Sequence, residues 1–164
     1  MKKYLTIGNI LLCSAVVLAV VAIIVGLCVP AISYTPKVGD TITNTGAQIT
    51  FGYTEKAEGA LGTASLQVYK FSFPNLLPYI FALVGMVFAV LAIFGKLGKI
   101  SVFVAAGCFL VAGVLFFCAV PFTMPASDKV TMEGWKLGAG AIVGGVFGLV
   151  SAVCCALKAF VFKK

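Results

Sequence analysis

The sequence predicts an all-α integral membrane protein: a four-helix transmembrane bundle that carries a small extracellular β-sheet formed by its outer loops. Three observations predict it. Four uncharged apolar runs, 5–29, 76–94, 100–120 and 137–157, are each long enough to cross a bilayer, for which about 20 apolar residues suffice. All five acidic residues, Asp40, Glu55, Glu58, Asp128 and Glu133, fall in two of the connections between those runs. The longer of those connections alternates strand-forming residues with glycine. With 62% hydrophobic residues in 164, four spans leave little chain for anything else, so the whole length reads as one membrane domain.

The first run follows Met1-Lys2-Lys3 in the manner of a secretory signal, but its apolar core is too long and no small-x-small site follows it cleanly. Cys13 and Cys28 both follow leucine, where a lipoprotein would need a small residue, so a retained span is expected. The connection 30–75 is expected to fold. Thr41 to Thr43, Ala47 to Tyr53 and Ser65 to Phe73 read as strands, with Glu58-Gly59-Ala60-Leu61-Gly62 turning the last two into a hairpin. Because an isolated hairpin is marginal in water, a further strand at Lys129 to Met132 in the second outer connection, 121–136, would complete a sheet. Gly95-Lys96-Leu97-Gly98-Lys99 is too short for anything but a tight turn, which makes the second and third spans antiparallel neighbours. Pro74 and Pro78 are placed to start the second span and Pro121 to end the third, where prolines remove no mid-helix hydrogen bond. Tyr79, Phe122 and Trp135 suit an outer aromatic belt, and Tyr4, Phe94 and Phe162 an inner one.

Charge sets the orientation. Lys2, Lys3, Lys96, Lys99, Lys158, Lys163 and Lys164 meet no acid, whereas Lys37, Lys56, Lys70, Lys129 and Lys136 share their connections with the five acids. The net charge of +7 thus belongs to one side, and positive loops stay in the cytoplasm. A multi-pass protein of the cell membrane with both termini cytoplasmic is expected. The basic residues are all lysine and are scattered over three short pieces, which suits anionic lipid headgroups and not nucleic acid. The absence of arginine and histidine is a compositional bias in the direction of an AT-rich bacterial genome.

The sharpest motif lies in the fourth span, where Gly140, Gly144, Gly148, Ala152 and Ala156 recur every four residues as one small-residue ridge. Mid-helix glycine is unfavourable by about 1 kcal/mol relative to alanine, so such a ridge implies close approach of a neighbouring backbone, within the protomer or between protomers. Ala15, Ala19, Ala22 and Gly26 stripe the first span, and Ala82, Gly85, Ala89 and Ala92 the second, as a tight bundle would need. The spans hold no charge, the usual mark of pumps and transporters. Their polar residues are Thr6, Asn9, Ser14, Ser101 and Ser151.

Cys13, Cys28, Cys108, Cys118, Cys154 and Cys155 lie within spans, with no C-x-x-C and no histidine, a pattern that argues against thiol oxidoreductase chemistry and against a metal site. Cys28 and Cys118 stand at similar depth near the outer surface, where they form either a disulfide or two separate packing residues. No nucleophile has a base beside it and no glycine loop precedes a helix to hold phosphate. No catalytic residue, cofactor or small-molecule substrate is therefore expected.

The order of parts, an inside N-terminus, one span, a long strand-forming outer loop, a hairpin of spans, a shorter outer loop and a fourth span, resembles that of claudin-like tetraspan proteins. The first outer loop has Phe51-Gly52-Tyr53 where those families carry a Gly-Leu-Trp-like turn, and it has no cysteine pair. The resemblance implies an outer sheet that makes lateral or cell-to-cell contacts. The expected function is thus non-enzymatic: membrane assembly or protein–protein interaction through the extracellular loops, with Phe51, Tyr53, Tyr69 and Trp135 as the candidate interaction residues. The lipid bilayer and either further copies of the chain or another membrane protein would be its partners. An oligomeric channel, or an accessory subunit of a transporter or secretion complex, are the alternatives.

Overall fold

The computed structural model describes residues 7–36, 39–59, 62–95, 98–127 and 132–161. Lys2, Lys3, Tyr4, Thr6, Lys37, Lys96, Asp128, Lys129, Phe162, Lys163 and Lys164 lie outside the described residues, as does most of the strand expected at Lys129 to Met132.

Among the described residues, four helices are long and apolar enough to cross a membrane, as those of a multi-pass membrane protein are. They are α1 (Ile7–Cys28), α3 (Phe73–Ile93), α4 (Gly98–Phe117) and α6 (Ala139–Phe160). Between them stand the strands β1 (Pro30–Tyr34), β2 (Ile42–Thr45), β3 (Tyr53–Gly59), β4 (Gly62–Tyr69) and β5 (Lys136–Leu137), and the short helices α2 (Gly46–Phe51) and α5 (Ala119–Phe122). Strands and short helices all gather at one end of the bundle, the sheet end. The α3–α4 turn and the C-terminus of α6 mark the far end.

The bundle is held by small residues. Its main helix interfaces are α4–α6, α1–α6 and α3–α4, with a lesser one between α1 and α3, so α1 and α4 stand diagonally. The buried face of α1 is Gly8, Leu12, Ala15, Ala19, Ala22 and Gly26, a spacing of three and four that keeps one stripe inward. Hydrocarbon chains are as apolar as leucine, so burial in lipid gives little drive. Close van der Waals packing and hydrogen bonds between helices supply it. The fully buried Phe109 ring fills the space left by Gly85, whose added Cβ would lie 2.8 Å from it. Ser151, also fully buried, directs its hydroxyl at two carbonyls, Phe147 O within α6 at 2.8 Å and Ala15 O on α1 at 3.1 Å.

At the sheet end the loops build two sheets where one was expected. β1 is central to the first, with order β2-β1-β5, and β3 and β4 form a separate antiparallel hairpin. The hairpin register sets Glu55 opposite Leu66 and Gly59 opposite Gly62. Among the described residues the second outer connection supplies a strand at Lys136–Leu137, where it pairs with Ser33 and Ile32. Trp135 docks beside Tyr34 and so draws that segment onto β1. Leu137 therefore precedes the fourth membrane helix and does not begin it.

Of the segment read as a strand from Ala47 to Tyr53, Ala47 to Phe51 belongs instead to the helix α2, and Tyr53 begins β3. Thr45 and Gln48 form a reciprocal capping box: the Gln48 N–H donates to Thr45 Oγ1 at 3.4 Å and the Thr45 N–H to Gln48 Oε1 at 2.8 Å. The T-x-x-Q spacing satisfies two N-terminal donors at once, and that outweighs the strand preference of Ile49, Thr50 and Phe51. Gly52, at φ 91°, then reverses the chain into β3, a conformation that side chains with a Cβ resist. α2 lies directly on the end of α1, because a Cβ on Gly46 would run into the Gly26 carbonyl.

Two further expectations change. The second membrane helix begins at Phe73, earlier than expected, capped by Ser72, and so Pro78 lies inside it and is buried. Tyr79 is buried beneath α2, hydrogen-bonded to Thr50 and edge-on to Phe116 with ring centroids 5.2 Å apart, so it does not serve an aromatic belt. A buried polar layer joins these elements. Ser72 Oγ donates to Phe122 O, the Ser72 N–H to Thr50 O at 2.9 Å, and Asn75 Nδ2 to Thr123 Oγ1 at 3.3 Å. Among the described residues no buried side-chain polar atom lacks a partner.

Candidate interaction cleft

The sheet end holds a cleft of about 280 Å³ between the two sheets, lined in part by Asn44 of β2, Tyr53 and Glu55 of β3, Leu66 and Tyr69 of β4, and Trp135. On β2 the lining alternates, Ile42 and Asn44 sharing one face, whereas β4 contributes the consecutive residues Leu66 to Tyr69, next to the register shift between Tyr53 and Thr54. Trp135 is the pivot. Its ring stacks on Tyr34 at 5.4 Å between centroids and meets Tyr69 edge-on at 6.5 Å. Such aromatic pairs favour offset or edge-to-face geometry, so three rings from three segments fix one another's orientation.

Tyr69 anchors the floor. It is 2% exposed, and its hydroxyl accepts a 3.0 Å hydrogen bond from Asn44 Nδ2. Burial pushes its phenol up to about 12, opposed in part by the Asn44 donor. The outer edge of β4 is strapped by the second connection, the Lys70 N–H donating to Met124 O and the Ala126 N–H to Val68 O, each at 2.9 Å. At the rim, Leu66 is 69% and Ile42 51% exposed. The cleft thus offers ring faces, exposed aliphatic groups, the amides of Asn44 and Gln67 and the carboxylate of Glu55. That is the chemistry needed to hold an extended segment of polypeptide by apolar contact and a few oriented hydrogen bonds.

Of the four loop residues read from the sequence, Tyr53, Tyr69 and Trp135 come together here. Phe51 does not: it stands 58% exposed on α2 and is not part of the lining. Sequence reasoning missed Tyr34, because β1 was not read as a strand, and Asn44, because the strand read beside it stopped at Thr43. The run Ala31-Ile32-Ser33-Tyr34 after Pro30 carries the β-branched and aromatic signal that could have found it.

The small-residue ridge of α6 is turned inward. A Cβ on Gly140 would lie 2.6 Å from Val29 O, one on Gly144 3.2 Å from the Phe116 ring, and one on Gly148 2.8 Å from Gly113 Cα. Ala152 is buried in the same core as Phe109 and Ala105. These positions pack α6 against α1 and α4 of the same chain. Cys28 and Cys118 are both free thiols, as are the other four cysteines. They terminate α1 and follow α4, the diagonal pair of the bundle, which keeps their helices apart. Among the described residues no three His, Cys, Asp or Glu side chains gather in a group that could hold a metal ion.

Compared with protein-family models, curated proteins and solved structures, the chain gives no significant match. The functional reading rests on its own residues.

Proposed function

We propose that this chain is a non-enzymatic tetraspan protein of the cell membrane, with both termini in the cytoplasm, that acts in membrane assembly or protein–protein interaction. Its extracellular cleft would grip a segment of a neighbouring membrane protein or of a second copy. One observation carries this reading: Tyr53, Tyr69 and Trp135, from three separate segments, converge on one cleft with an apolar rim. Aromatic anchors in a pocket of this kind dominate the energetics of protein interfaces. The claudin-like order of spans and loops supports the same reading.

The test is a photo-crosslinking amino acid at Leu66, on the rim, irradiated in native membranes. The expected result is one defined protein adduct that disappears when Tyr53→Ala is added, with no adduct from the same group at Leu83 on the bundle exterior. Adducts of equal yield from Leu66 and Leu83, or none from Leu66, would overturn the reading. A steady unitary conductance from purified protein in a planar bilayer would replace it with the channel alternative.

A further inference from the structure

At the far end of the bundle, a second cavity of about 200 Å³ opens between the end of α3, the start of α4 and the end of α6. Its walls are small and apolar, Ala92, Val102 and Ala159, and its charged lining residues are Lys99 and Lys158. No acid lines it. In the sequence all five acidic residues fall in the connections 30–75 and 121–136, and none falls beside Lys99 or Lys158. α4 begins at Gly98, so the positive end of its dipole points at the same space. Gly8 on α1 leaves room for the Lys158 stem to cross it, as a Cβ there would collide with that stem. The rim around this end is exposed and apolar: Phe94, Ile100, Phe103 and Phe160, the last two in edge-to-face contact at 5.4 Å.

We infer that this cavity binds the phosphate headgroup of one anionic phospholipid, seated between Lys99 and Lys158, with an acyl chain of the same lipid along the Phe103–Phe160 side. Charge complementarity selects the headgroup, because basic pockets between helices at the membrane surface favour anionic lipids. The exposed aromatic and aliphatic rim selects a lipid over a soluble phosphate, which would gain nothing from it. The inference depends on the four helices crossing a bilayer and is independent of what the cleft at the sheet end binds.

The full chain, assembled in nanodiscs of equal parts phosphatidylglycerol and phosphatidylcholine, is released into the gas phase and weighed by native mass spectrometry. One phosphatidylglycerol is expected per chain, with about a 30-fold preference over phosphatidylcholine, corresponding to roughly two favourable lysine contacts. In the Lys99→Gln/Lys158→Gln double variant the preference should fall to near parity. The charge-matched Lys70→Gln/Lys136→Gln control at the sheet end should keep it. Where the double variant does not fold, the exposed Lys99→Gln alone is read, with about a 5-fold loss expected. Undiminished phosphatidylglycerol in the cavity variants, or equal retention of both lipids by the wild type, would overturn the assignment. Complete displacement by inorganic phosphate would overturn the choice of a lipid as its source.

Discussion

The side-chain amide of Asn44 donates a 3.0 Å hydrogen bond to the hydroxyl of Tyr69, and through it β2 of the three-stranded sheet is tied to β4 of the separate hairpin. Both residues are buried, so the pair cannot exchange its bond for water at no cost. The relative placement of the two sheets, and with it the width of the cleft, depends on this contact and on the Trp135 ring beside it.

Tyr69→Phe should therefore destabilise the sheet end by about 1–3 kcal/mol, the penalty for leaving a buried donor unpaired. The loss should also depend on pH. The folded phenol keeps its proton to about pH 12, whereas the unfolded one releases it near the ordinary value of 10. The wild-type advantage is thus whole below pH 10 and declines as pH rises through 12, because the unfolded state then binds fewer protons. Thermal unfolding of both proteins across that window checks it. A stability gap that stays constant would show that Tyr69 does not titrate as described.

The α6 ridge makes a prediction that distinguishes two of its glycines. At Gly148 an added methyl would meet Gly113 backbone, Cα at 2.8 Å and N at 3.0 Å, whereas at Gly144 it would meet the ring of Phe116 at 3.2 Å. A ring can shift by a few tenths of an ångström; a helix backbone locked on both sides cannot. Gly148→Ala should cost about 1–3 kcal/mol from overpacking and Gly144→Ala markedly less. Denaturant unfolding in micelles measures both. Equal losses would mean that α4 and α6 do not approach as closely as Gly113 and Gly148 imply.

The bundle was legible because its signals are long. Twenty-residue apolar runs and small residues at i, i+4 survive any local ambiguity, and the α6 ridge read from Gly140, Gly144 and Gly148 is buried in the fold. The sheet end was legible only in part. Short segments such as Ala47 to Tyr53 carry residues with strand preference, and there a four-residue capping box decided the outcome. β1 was missed because its five residues, Pro30 to Tyr34, come directly after the span and are too few for an alternation to stand out. Asn44 and Tyr34 belong to the cleft through pairings between distant segments, and no local pattern records which strands will meet.

The capping box offers a local test. Thr45→Ala removes the acceptor of the Gln48 N–H and should weaken α2 by about 1 kcal/mol. The four membrane helices share no hydrogen bond with Thr45 and should be unaffected. Hydrogen exchange resolves the difference: faster exchange over Gly46 to Phe51 with unchanged protection in α3 and α6 is expected. Uniformly faster exchange throughout would mean that α2 is coupled to the whole bundle through its seat on Gly26.

Orientation can be read with two single cysteines in a background where the six native ones are replaced. Leu66 is on the cleft rim and Lys99 starts α4 at the opposite end, and both are exposed. Lys99 and Lys158 stand at that end, in the connections and flanks that hold no acid in the sequence, and lysine-rich connections are retained in the cytoplasm. Leu66→Cys should therefore react with an impermeant maleimide on intact cells, and Lys99→Cys only after permeabilisation. The reverse pattern would put the lysine cavity outside and the aromatic cleft inside, which would remove the cleft from contact with neighbouring extracellular loops. Labelling of both sites on intact cells would show that the chain does not hold one orientation, and the charge asymmetry would then lose its meaning as a topology signal.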